Sequence, residues 1–428
     1  MPKRWTFIVY LAGDNNLEQY GLVDLLEMKA VGSTADVDVV AQFDGMEDGG
    51  TRRYHLTADR ELADDVVDEL AEVNTGDPDA LLDLVSWAMA EYPAERTALV
   101  LWNHGSGWRD EDIYRLDGGP ALDPEQPRSL VRGAGEAGIR RSLFKTSIAS
   151  VLDYPAEVRG ILFDDTSKDF LDSRELKRVV ERMVAARGGR KLDLIGFDAC
   201  LMSTIEVGFQ IRDAFEVMVG SQEIEPGDGW PYGRILAALA AEPAAGPEEL
   251  GRMVVEAYVA ELGARDRGAA VTQSAVRLGQ MAETTVRVGR LADALTASLE
   301  RPSFSRQLLA VLRGVQKFRD RDCVDLLHLC RLLGGARGAG RDAPSALRDA
   351  SVDGVADAAL DLAALFEPQA VSSVVPWARF SGGALKAAGG LSIYLPLMGA
   401  VSPAYRNLDF AASSTWPRFL DSFAGPAP

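Results

Sequence analysis

Cysteine and histidine are scarce in this sequence of 428 residues, which contains three of each. The cysteines are Cys200, Cys323 and Cys330. So low and odd a number makes no disulfide framework and suits a reducing compartment. No two cysteines have CxxC spacing, so a structural zinc site is not expected. Any chemistry that needs cysteine or histidine therefore has few candidates.

Long apolar segments are also missing. No window offers the roughly 18 uninterrupted apolar residues that a membrane-spanning helix needs, so a membrane is not expected as a partner. A short apolar run over residues 5–13 follows two basic residues but has no small-residue cleavage site and ends in polar residues. We interpret this run as a buried first strand and expect a cytoplasmic location. Secretion through a signal outside this sequence stays an alternative.

Basic residues are fewer than acidic ones, with 45 Lys and Arg against 64 Asp and Glu, which gives a net charge of −19 at pH 7. This balance argues against nucleic acid and anionic membranes as main partners, and it suits cationic ligands. Hydrophobic residues make up 47% and charged residues 25% of the chain, which is ordinary for a globular protein.

The first 220 residues alternate between strand and helix patterns. Strands are predicted at 6–12, 37–44, 97–103, 191–199 and 216–222, with helices at 17–31, 78–92 and directly after Cys200. Alternating strands and helices predict an α/β fold with a mostly parallel sheet flanked by helices. Such sheets bind ligands beyond the carboxyl ends of their strands.

Two regions differ from this alternation. Residues 109–160 are rich in Gly, Pro and charge, so they form either a solvated insertion or a segment cut during activation. From about residue 245 the sequence predicts helices over 247–264, 279–299, 305–317, 323–334 and 344–366, then strands at 370–377 and 390–396. We therefore predict a catalytic domain over 1–240 and a helix-rich domain over 241–428.

His104 and Cys200 each follow a predicted strand, so the fold can bring them together at one edge of the sheet. A thiolate nucleophile needs a nearby base or cation to lower its pKa, and a helix beginning at Cys200 would favour a negative sulfur. Gly105 allows a close approach of its backbone amide, which could form an oxyanion hole with the amide of Cys200. The alternative is that Cys200 is a small buried hydrophobe.

The residues around these positions resemble the clostripain family of cysteine peptidases. The blocks that carry the resemblance are TFIVYLAGDNNLE, LVLWNHGSGW, LIGFDACLMSTIEV and GSQEIEPGDGWPY. Weaker matches, FDDTSKDFLDSREL, SAVRL, CVDLLHLC and GLSIYLP, extend the resemblance over most of the chain.

The resemblance implies a caspase-like fold and an endopeptidase with a His/Cys dyad. His104 would be the general acid/base and Cys200 the nucleophile of a thioester mechanism that requires no cofactor. Expected substrates are peptides or proteins with a basic residue at P1, the residue before the cleaved bond. The oligomeric state stays open.

The resemblance also places acidic residues at the P1 pocket, and Asp198 and Asp228 occupy these positions. Two carboxylates suit a guanidinium fork, which favours Arg over Lys. Asp198 could instead cap the next helix, and Asp228 could be a turn residue beside Gly229. Trp230 either forms a wall of the pocket or packs in the core.

Members of the family are often made as precursors that are cut between the His and Cys motifs after a basic residue. The candidates for such self-processing here are Arg140, Arg141, Lys145 and Lys168, with the stretch 128–145 favoured.

Calcium dependence also occurs in the family. This sequence has no DxDxDG-type loop. An ion could be held by Asp164, Asp165, Asp169 and Asp172, or these residues could form a solvated acidic loop.

Two other classes of function compete with the peptidase. One is a catalytically silent caspase-like binding or scaffold protein, against which the intact His104 and Cys200 motifs argue. The other is a phosphotransferase or phosphatase using Asp164 or Asp165, whose usual motif spacing is not met. The remaining cysteines and His328 are interpreted as structural, and His55 as a surface residue.

Overall fold

A computed structural model describes residues 2–46, 50–108, 160–265, 270–335, 353–368, 370–397 and 401–424. Among them the strands are β1 Lys3–Gly13, β2 Val37–Gly45, β3 Gly50–His55, β4 Val66–Glu69, β5 Ala94–Trp102, β6 Ile161–Asp164, β7 Asp169–Leu171, β8 Leu192–Asp198, β9 Phe215–Gly220, β10 Val271–Arg277, β11 Cys323–Asp325, β12 Trp377–Ser381 and β13 Ser392–Tyr394.

The α-helices in these ranges are α1 Glu18–Val31, α2 Pro78–Glu91, α3 Ser173–Ala186, α4 Ile205–Ile211, α5 Tyr232–Ala241, α6 Pro247–Arg265, α7 Met281–Leu299, α8 Pro302–Gly314, α9 Leu326–Leu333, α10 Asp353–Ala363, α11 Asp409–Ser413 and α12 Trp416–Ala424. Single 3-10 turns cover Leu62–Asp65, Leu278–Gln280, Ala364–Phe366, Gly383–Leu385 and Pro403–Asn407.

A nine-stranded sheet forms the centre of the described structure, in the order β12-β10-β9-β8-β5-β1-β2-β3-β4. The five strands from β9 to β2 run parallel to their neighbours. The outer strands on both sides are antiparallel. The α/β fold with a mostly parallel sheet between helices, which the sequence predicts, is therefore confirmed.

Strand β1 lies within this sheet and is buried on both faces. Ile8 and Tyr10 belong to the core cluster on one face, which includes Leu84 of α2. Phe7 and Val9 belong to the cluster on the other face, with Leu25 of α1. Because alternate residues of a strand point to opposite faces, this double burial explains the continuous apolar run.

Chain direction creates a ligand-binding edge. From β1 the chain first adds β2 on one side, and then adds β5, β8 and β9 on the other. The crevice at such a reversal lies beyond the carboxyl ends of the strands. Here the segments that follow β1, β5 and β8 meet, carrying Asn16, His104 and Cys200.

Several helix starts follow capping rules. Asp77 accepts a hydrogen bond from the amide of Asp79, and Pro78 opens α2, as the sequence predicts. Asp172 and Glu175 form a reciprocal capping box on α3. Asp172, predicted as a possible ion ligand, is thus engaged as a helix cap.

The prediction that a helix begins directly after Cys200 is wrong. Helix α4 begins at Ile205 and is capped by the side chain of Thr204, so Cys200 does not stand at a helix N-terminus. The turn before it places Leu201 at a φ of 64°, a left-handed conformation that costs a leucine free energy.

The later elements differ from prediction in detail. The helix expected over 323–334 opens with the short strand β11 before α9 begins at Leu326. The strand expected over 370–377 lies at Trp377–Ser381, at an edge of the main sheet. Strand β10, which was not predicted, joins β12 to the parallel strands.

The sheet and one core cluster continue past residue 240, since this cluster contains both Ile8 and Leu420. The division into domains 1–240 and 241–428 stays a prediction.

Candidate active site

His104 and Cys200 lie at the ends of neighbouring strands. Trp102 of β5 pairs with Asp198 of β8, and each candidate follows two residues later. Both line one cleft, together with Leu17, Trp102, Asn103, Asp198, Ala199, Glu225, Pro226, Gly227 and Gly229. The structure therefore brings together the two residues that the sequence singled out.

Gly105 lies directly against the Cys200 segment. A Cβ atom on Gly105 would lie 2.7 Å from the carbonyl oxygen of Cys200 and 2.8 Å from Cβ of Ala199. Real Cβ atoms do not approach backbone so closely, so only glycine fits here. The predicted oxyanion-hole amides of Gly105 and Cys200 thus belong to two segments in close contact.

Asn16 is the hydrogen-bond partner of His104. Its side-chain oxygen lies 2.7 Å from Nε2 of the imidazole. The ring keeps partial exposure to solvent, but the surrounding protein desolvates it and lowers the pKa of His104 to about 4. The imidazole is therefore neutral near pH 7 and able to accept a proton.

Cys200 is buried, with 8% of its surface exposed. Its Sγ accepts a hydrogen bond of 3.2 Å from the amide of Glu225. Burial, reinforced by the charge of Glu225, raises the pKa of the thiol to about 12 despite that bond. Cys200 is thus a neutral thiol in this state and needs a base to become a nucleophile.

Buried carboxyl groups lie behind the two candidates. Asp198 accepts hydrogen bonds from the amide of Trp230, at 3.1 Å, and from the hydroxyl of Tyr232, at 2.9 Å. Asp24 on α1 accepts one of 2.7 Å from the indole of Trp102. A Cβ atom on Gly229 would lie 2.8 Å from Asp24 Oδ2 and 3.2 Å from Asp198 Oδ2. The backbone of Gly229, in the loop after β9, therefore lies close to both carboxyl groups.

Glu225 completes this group, and Gln273 donates to its side chain across 3.1 Å. Burial raises the pKa of Asp198 to about 6. Burial, followed by repulsion from Asp198, raises the pKa values of Asp24 and Glu225 well above their usual range. Among the described residues, none of these three carboxyls forms a salt bridge with Lys or Arg. We call Asp24, Asp198 and Glu225 the acidic pocket.

Two other predicted pocket residues lie further back. Trp230 is fully buried, and a Cβ atom on Gly196 would lie 2.6 Å from its ring, so the indole packs under the sheet. Its backbone amide contacts Asp198. Asp228 is half-buried. Burial raises the pKa values of Asp24 and Tyr20, and the charge of Asp228 adds to both shifts. Their roles in substrate binding stay predictions.

Sequence reasoning missed Asn16, Asp24 and Glu225. Asn16 lies in the AGDNNLE block and Glu225 in the EIEPGDGW loop, both of which carry the resemblance. Of the three, Asp24 could have been found from the sequence, because it is an acidic residue in the middle of the apolar, buried face of α1. An isolated buried acid of this kind signals a binding role.

The remaining sulfur and imidazole groups lie apart from the cleft lining. Cys330 is in the core, and Cys323 lies 3.5 Å from a carboxyl oxygen of Asp320. His328 Nδ1 accepts from the amide of Gln316. His55, expected at the surface, is half-buried and contacts Asp38 at 2.8 Å.

The predicted processing sites separate into two groups. Arg140, Arg141 and Lys145 lie outside the described residues, as does nearly all of the 109–160 segment. Lys168 lies in the turn of the β6–β7 hairpin, with a φ of 53°.

The acidic residues suggested as ion ligands also separate. Asp169 accepts from the side-chain amide of Asn74 at 2.7 Å, and Asp172 caps α3. Asp164 instead points into a group with Asp14, Asp44 and Glu72, whose ligand atoms all lie within 4.8 Å of one another. The ion site suggested from sequence therefore shares only Asp164 with the cluster in the structure.

The chain also matches the sequence pattern of a known family. The sequence pattern described as the clostripain family matches residues 9–117 and 149–332. Clostripain of Hathewaya histolytica is 24% identical over 262 residues, which are 55% of this chain and 42% of that protein. The chain thus aligns with about two fifths of the length of this relative.

Two solved structures share the fold. One is a secreted cysteine protease from Bacteroides thetaiotaomicron in complex with an irreversible peptide inhibitor. It is 18% identical to this chain with a TM-score of 0.60, and the alignment covers 97% of this chain and 99% of that protease. An inactive zymogen protease from Parabacteroides distasonis is also 18% identical, with a TM-score of 0.59 and coverages of 96% and 98%.

Location was also predicted from the sequence. No helix in the described ranges is long and apolar enough to cross a bilayer. Because the Bacteroides relative is secreted, the comparison gives no support to the cytoplasmic location, which stays a prediction.

The matched family pattern covers more than half of the chain and contains both His104 and Cys200. The solved structures extend the same caspase-like fold over nearly its whole length. The chain therefore belongs to the clostripain family of cysteine peptidases.

Proposed function

We propose that the protein is a cysteine endopeptidase that cleaves peptide bonds after Arg, and less readily after Lys. The single observation that carries this proposal is the position of the acidic pocket beside the His104 and Cys200 cleft. Asp198 and Glu225 line that cleft together with the two candidates, and Asp24 lies just behind them.

The pocket supports a basic P1 residue on energetic grounds. Burying carboxylates without a cation is costly, and here the cost appears as raised pKa values of all three acids. A guanidinium in the pocket would offset this cost and could bond two carboxylates at once. An ammonium offers fewer fixed donors, which is why Arg is preferred.

His104 and Cys200 would carry out acyl transfer. The thiol proton of Cys200 passes to His104, and Sγ forms a bond to the scissile carbonyl carbon. The C–N bond then breaks as His104 protonates the leaving amine. Water, deprotonated by His104, hydrolyses the thioester and restores the thiol. No metal or organic cofactor takes part in these steps.

The developing oxyanion would bind the amides of Gly105 and Cys200. One such donor contributes about 3–4 kcal/mol to transition-state stabilisation. The close contact between the two segments supports this pairing, because both amides can then face one substrate oxygen.

Self-processing is part of the proposal. The segment 109–159 separates the two motifs in sequence and carries Arg140, Arg141 and Lys145, which match the proposed specificity. Lys168 is the remaining candidate. Mixing active protein with the Cys200→Ala variant and sequencing any new N-terminus would locate the bond.

Covalent labelling tests the central part of the proposal. The protein is incubated with a peptidyl acyloxymethyl ketone carrying Arg at P1, and the adduct is located by peptide mass mapping. We expect a single adduct on Cys200, with none on the Cys200→Ala variant and an unchanged adduct on the matched Cys323→Ala variant. Absence of an adduct on Cys200, before and after proteolytic nicking of segment 109–159, would instead favour the silent scaffold protein.

A further inference from the structure

Cys200 belongs to a small apolar group that is separate from the two larger core clusters. The group has three further buried members and two half-buried ones, which are Leu201, Phe318 and Leu385, and Ile224 and Ala388. We call these five residues the apolar patch. Because its half-buried members keep part of their surface exposed, the patch presents an apolar surface next to the candidate nucleophile.

The loop after β9 contacts two different groups through successive residues. Ile224 packs in the apolar patch. The side chain of Glu225 instead lies beside Asp198 and accepts from Gln273, while its amide donates to Sγ of Cys200 at 3.2 Å. The apolar patch and the acidic pocket therefore begin at neighbouring residues of one loop, and both reach the Cys200 thiol.

Hydrogen bonds hold this loop against the segment before β11. One side-chain oxygen of Glu223 accepts from the amide of Ile224 at 2.9 Å and from the amide of Arg319 at 3.1 Å. Phe318 directly precedes Arg319 in the chain. The carboxyl group of Glu223 thus keeps Ile224 and Phe318 together in the patch.

The third segment of the patch, residues 383–389, is tied to the same loop. The side-chain amide of Gln222 donates to Asp325 at 3.0 Å, and its oxygen accepts from the amide of Gly390 at 2.8 Å. Asp325 also accepts from the amide of Gly389. A surface whose supporting segments are fixed in this way can select a side chain by its shape.

A bound substrate would bring one particular side chain to the patch. Successive side chains of an extended peptide point to opposite sides. With P1 in the acidic pocket, the side chains before and after P1 point away from that pocket. The residue after the cleaved bond carries the amine that His104 protonates, and no described residue of the His104 segment belongs to the patch. The patch therefore faces P2, the residue before P1.

We infer that the apolar patch is a subsite that selects substrates with an apolar side chain at P2. This inference rests on the proposed endopeptidase function. Ile224 and Ala388 supply the contact surface, and the buried side chains of Phe318 and Leu385 form the floor beneath it. An apolar P2 side chain gains binding free energy here, because its surface leaves water for an apolar environment. The recognised sequence is then an apolar residue followed by Arg.

Kinetics on coumarin peptides test the subsite, with Arg fixed at P1 and Leu, Phe or Ala at P2. The peptides are offered to the full chain before and after proteolytic nicking of segment 109–159. The coumarin replaces the residue after the cleaved bond, so P2 is the position that varies. For the wild type we expect a kcat/KM at least about tenfold higher for Leu than for Ala. Equal values would overturn the subsite and leave the endopeptidase proposal standing, whereas no turnover of any Arg peptide would overturn both.

The test variant is Ile224→Ala, and the matched control is Val286→Ala, which truncates an exposed apolar side chain of α7 outside the patch. Because the variant widens the subsite, its Phe-to-Leu ratio of kcat/KM should rise and its Leu-to-Ala ratio should fall, each by at least about threefold. The control should keep the wild-type ratios. Such ratios do not depend on the folded fraction of a preparation, so a variant that is only destabilised would leave them unchanged. Unchanged ratios in Ile224→Ala would overturn the subsite.

Discussion

The side-chain oxygen of Asn16 lies 2.7 Å from Nε2 of His104, which joins the loop after β1 to the segment after β5. The contact restrains the orientation of the imidazole in a partly open cleft. Asn16 is therefore a positioning residue in the proposed mechanism, acting through His104 rather than on the substrate.

Replacing Asn16 by Ala should lower kcat/KM about tenfold, because the imidazole loses its orientation but keeps its chemistry. This loss is smaller than the roughly 10²–10⁴-fold contribution of a general acid/base that His104→Ala would remove. The Asn16→Asp variant separates positioning from a structural role. A carboxylate beside the imidazole should raise its pKa and move the acidic limb of the kcat/KM profile to higher pH. If the acidic limb of the kcat/KM profile does not move in Asn16→Asp, Asn16 does not contact His104 in the active enzyme.

Changing Asp198 to Asn should impair cleavage after Arg far more than cleavage after Ala. The amide still accepts from Trp230 and Tyr232, so the fold is retained while the charge is lost. Loss of a buried charge partner costs about 2–4 kcal/mol, which is a roughly 30- to 1,000-fold fall in kcat/KM for the Arg substrate. Steady-state kinetics on the two matched peptides provide the measurement. An equal fall for both would show that Asp198 does not read the P1 charge.

Stability should fall as the pH rises through the titration of Asp198. Burial raises its pKa from 3.8 to about 6, so between these values the folded chain holds a proton that the unfolded chain has released. The free energy of unfolding therefore decreases from about pH 4 to pH 6, and this contribution is constant above pH 6. Asp24 and Glu225, whose pKa values are also raised, extend the decrease to higher pH.

Urea unfolding of wild type and Asp198→Asn across pH 4 to 8 checks this dependence. The variant should lose less stability over the range, because one of the titrating groups is gone. A wild type that gains stability between pH 4 and 6, with the variant lacking that gain, would mean that Asp198 has a cationic partner in the resting protein.

Adding a methyl group at Gly105 should both slow catalysis and destabilise the chain. The new Cβ would press on the Cys200 carbonyl and on Ala199, at an overpacking cost of about 1–3 kcal/mol. The displaced amide would also weaken oxyanion binding, so kcat should fall about 100-fold or more. Gly279→Ala is the control, since nothing lies within 4 Å of its added Cβ. Equal behaviour of the two variants would contradict the proposed role of Gly105.

The sequence predicted the parallel strands well because they are buried on both faces and read as long apolar runs. The placement of His104 and Cys200 followed from these strands, since side chains at carboxyl ends of neighbouring strands must meet. The strands β3, β4 and β10, which belong to the antiparallel outer parts of the sheet, were missed. Residues 50–55 include polar Thr51, Arg52 and Arg53. Of these, Arg53 is buried through hydrogen bonds to Gln42 and Asp83, which no local pattern reveals.

Asp24, Glu225 and the group formed by Asp14, Asp44, Glu72 and Asp164 could not be predicted from local patterns. Asp24 comes from a helix, Glu225 from a loop some 200 residues later, and Asp44 and Asp164 from distant strands. The tertiary fold, which also brings a helix, a loop and the separate β6–β7 hairpin to this edge, determines which acids meet. The helix start at Cys200 was wrong because a tight turn with Leu201 in a left-handed conformation separates Cys200 from α4.

The most direct test of the peptidase proposal is hydrolysis of a matched set of fluorogenic peptides that differ only at P1, with Arg, Lys, Asp or Ala, by wild type and Cys200→Ala. We predict the order Arg, then Lys, with Asp and Ala far below, and no turnover of any peptide by the variant. Equal cleavage of the four peptides would contradict the acidic pocket. Turnover that survives in Cys200→Ala would contradict the proposed nucleophile.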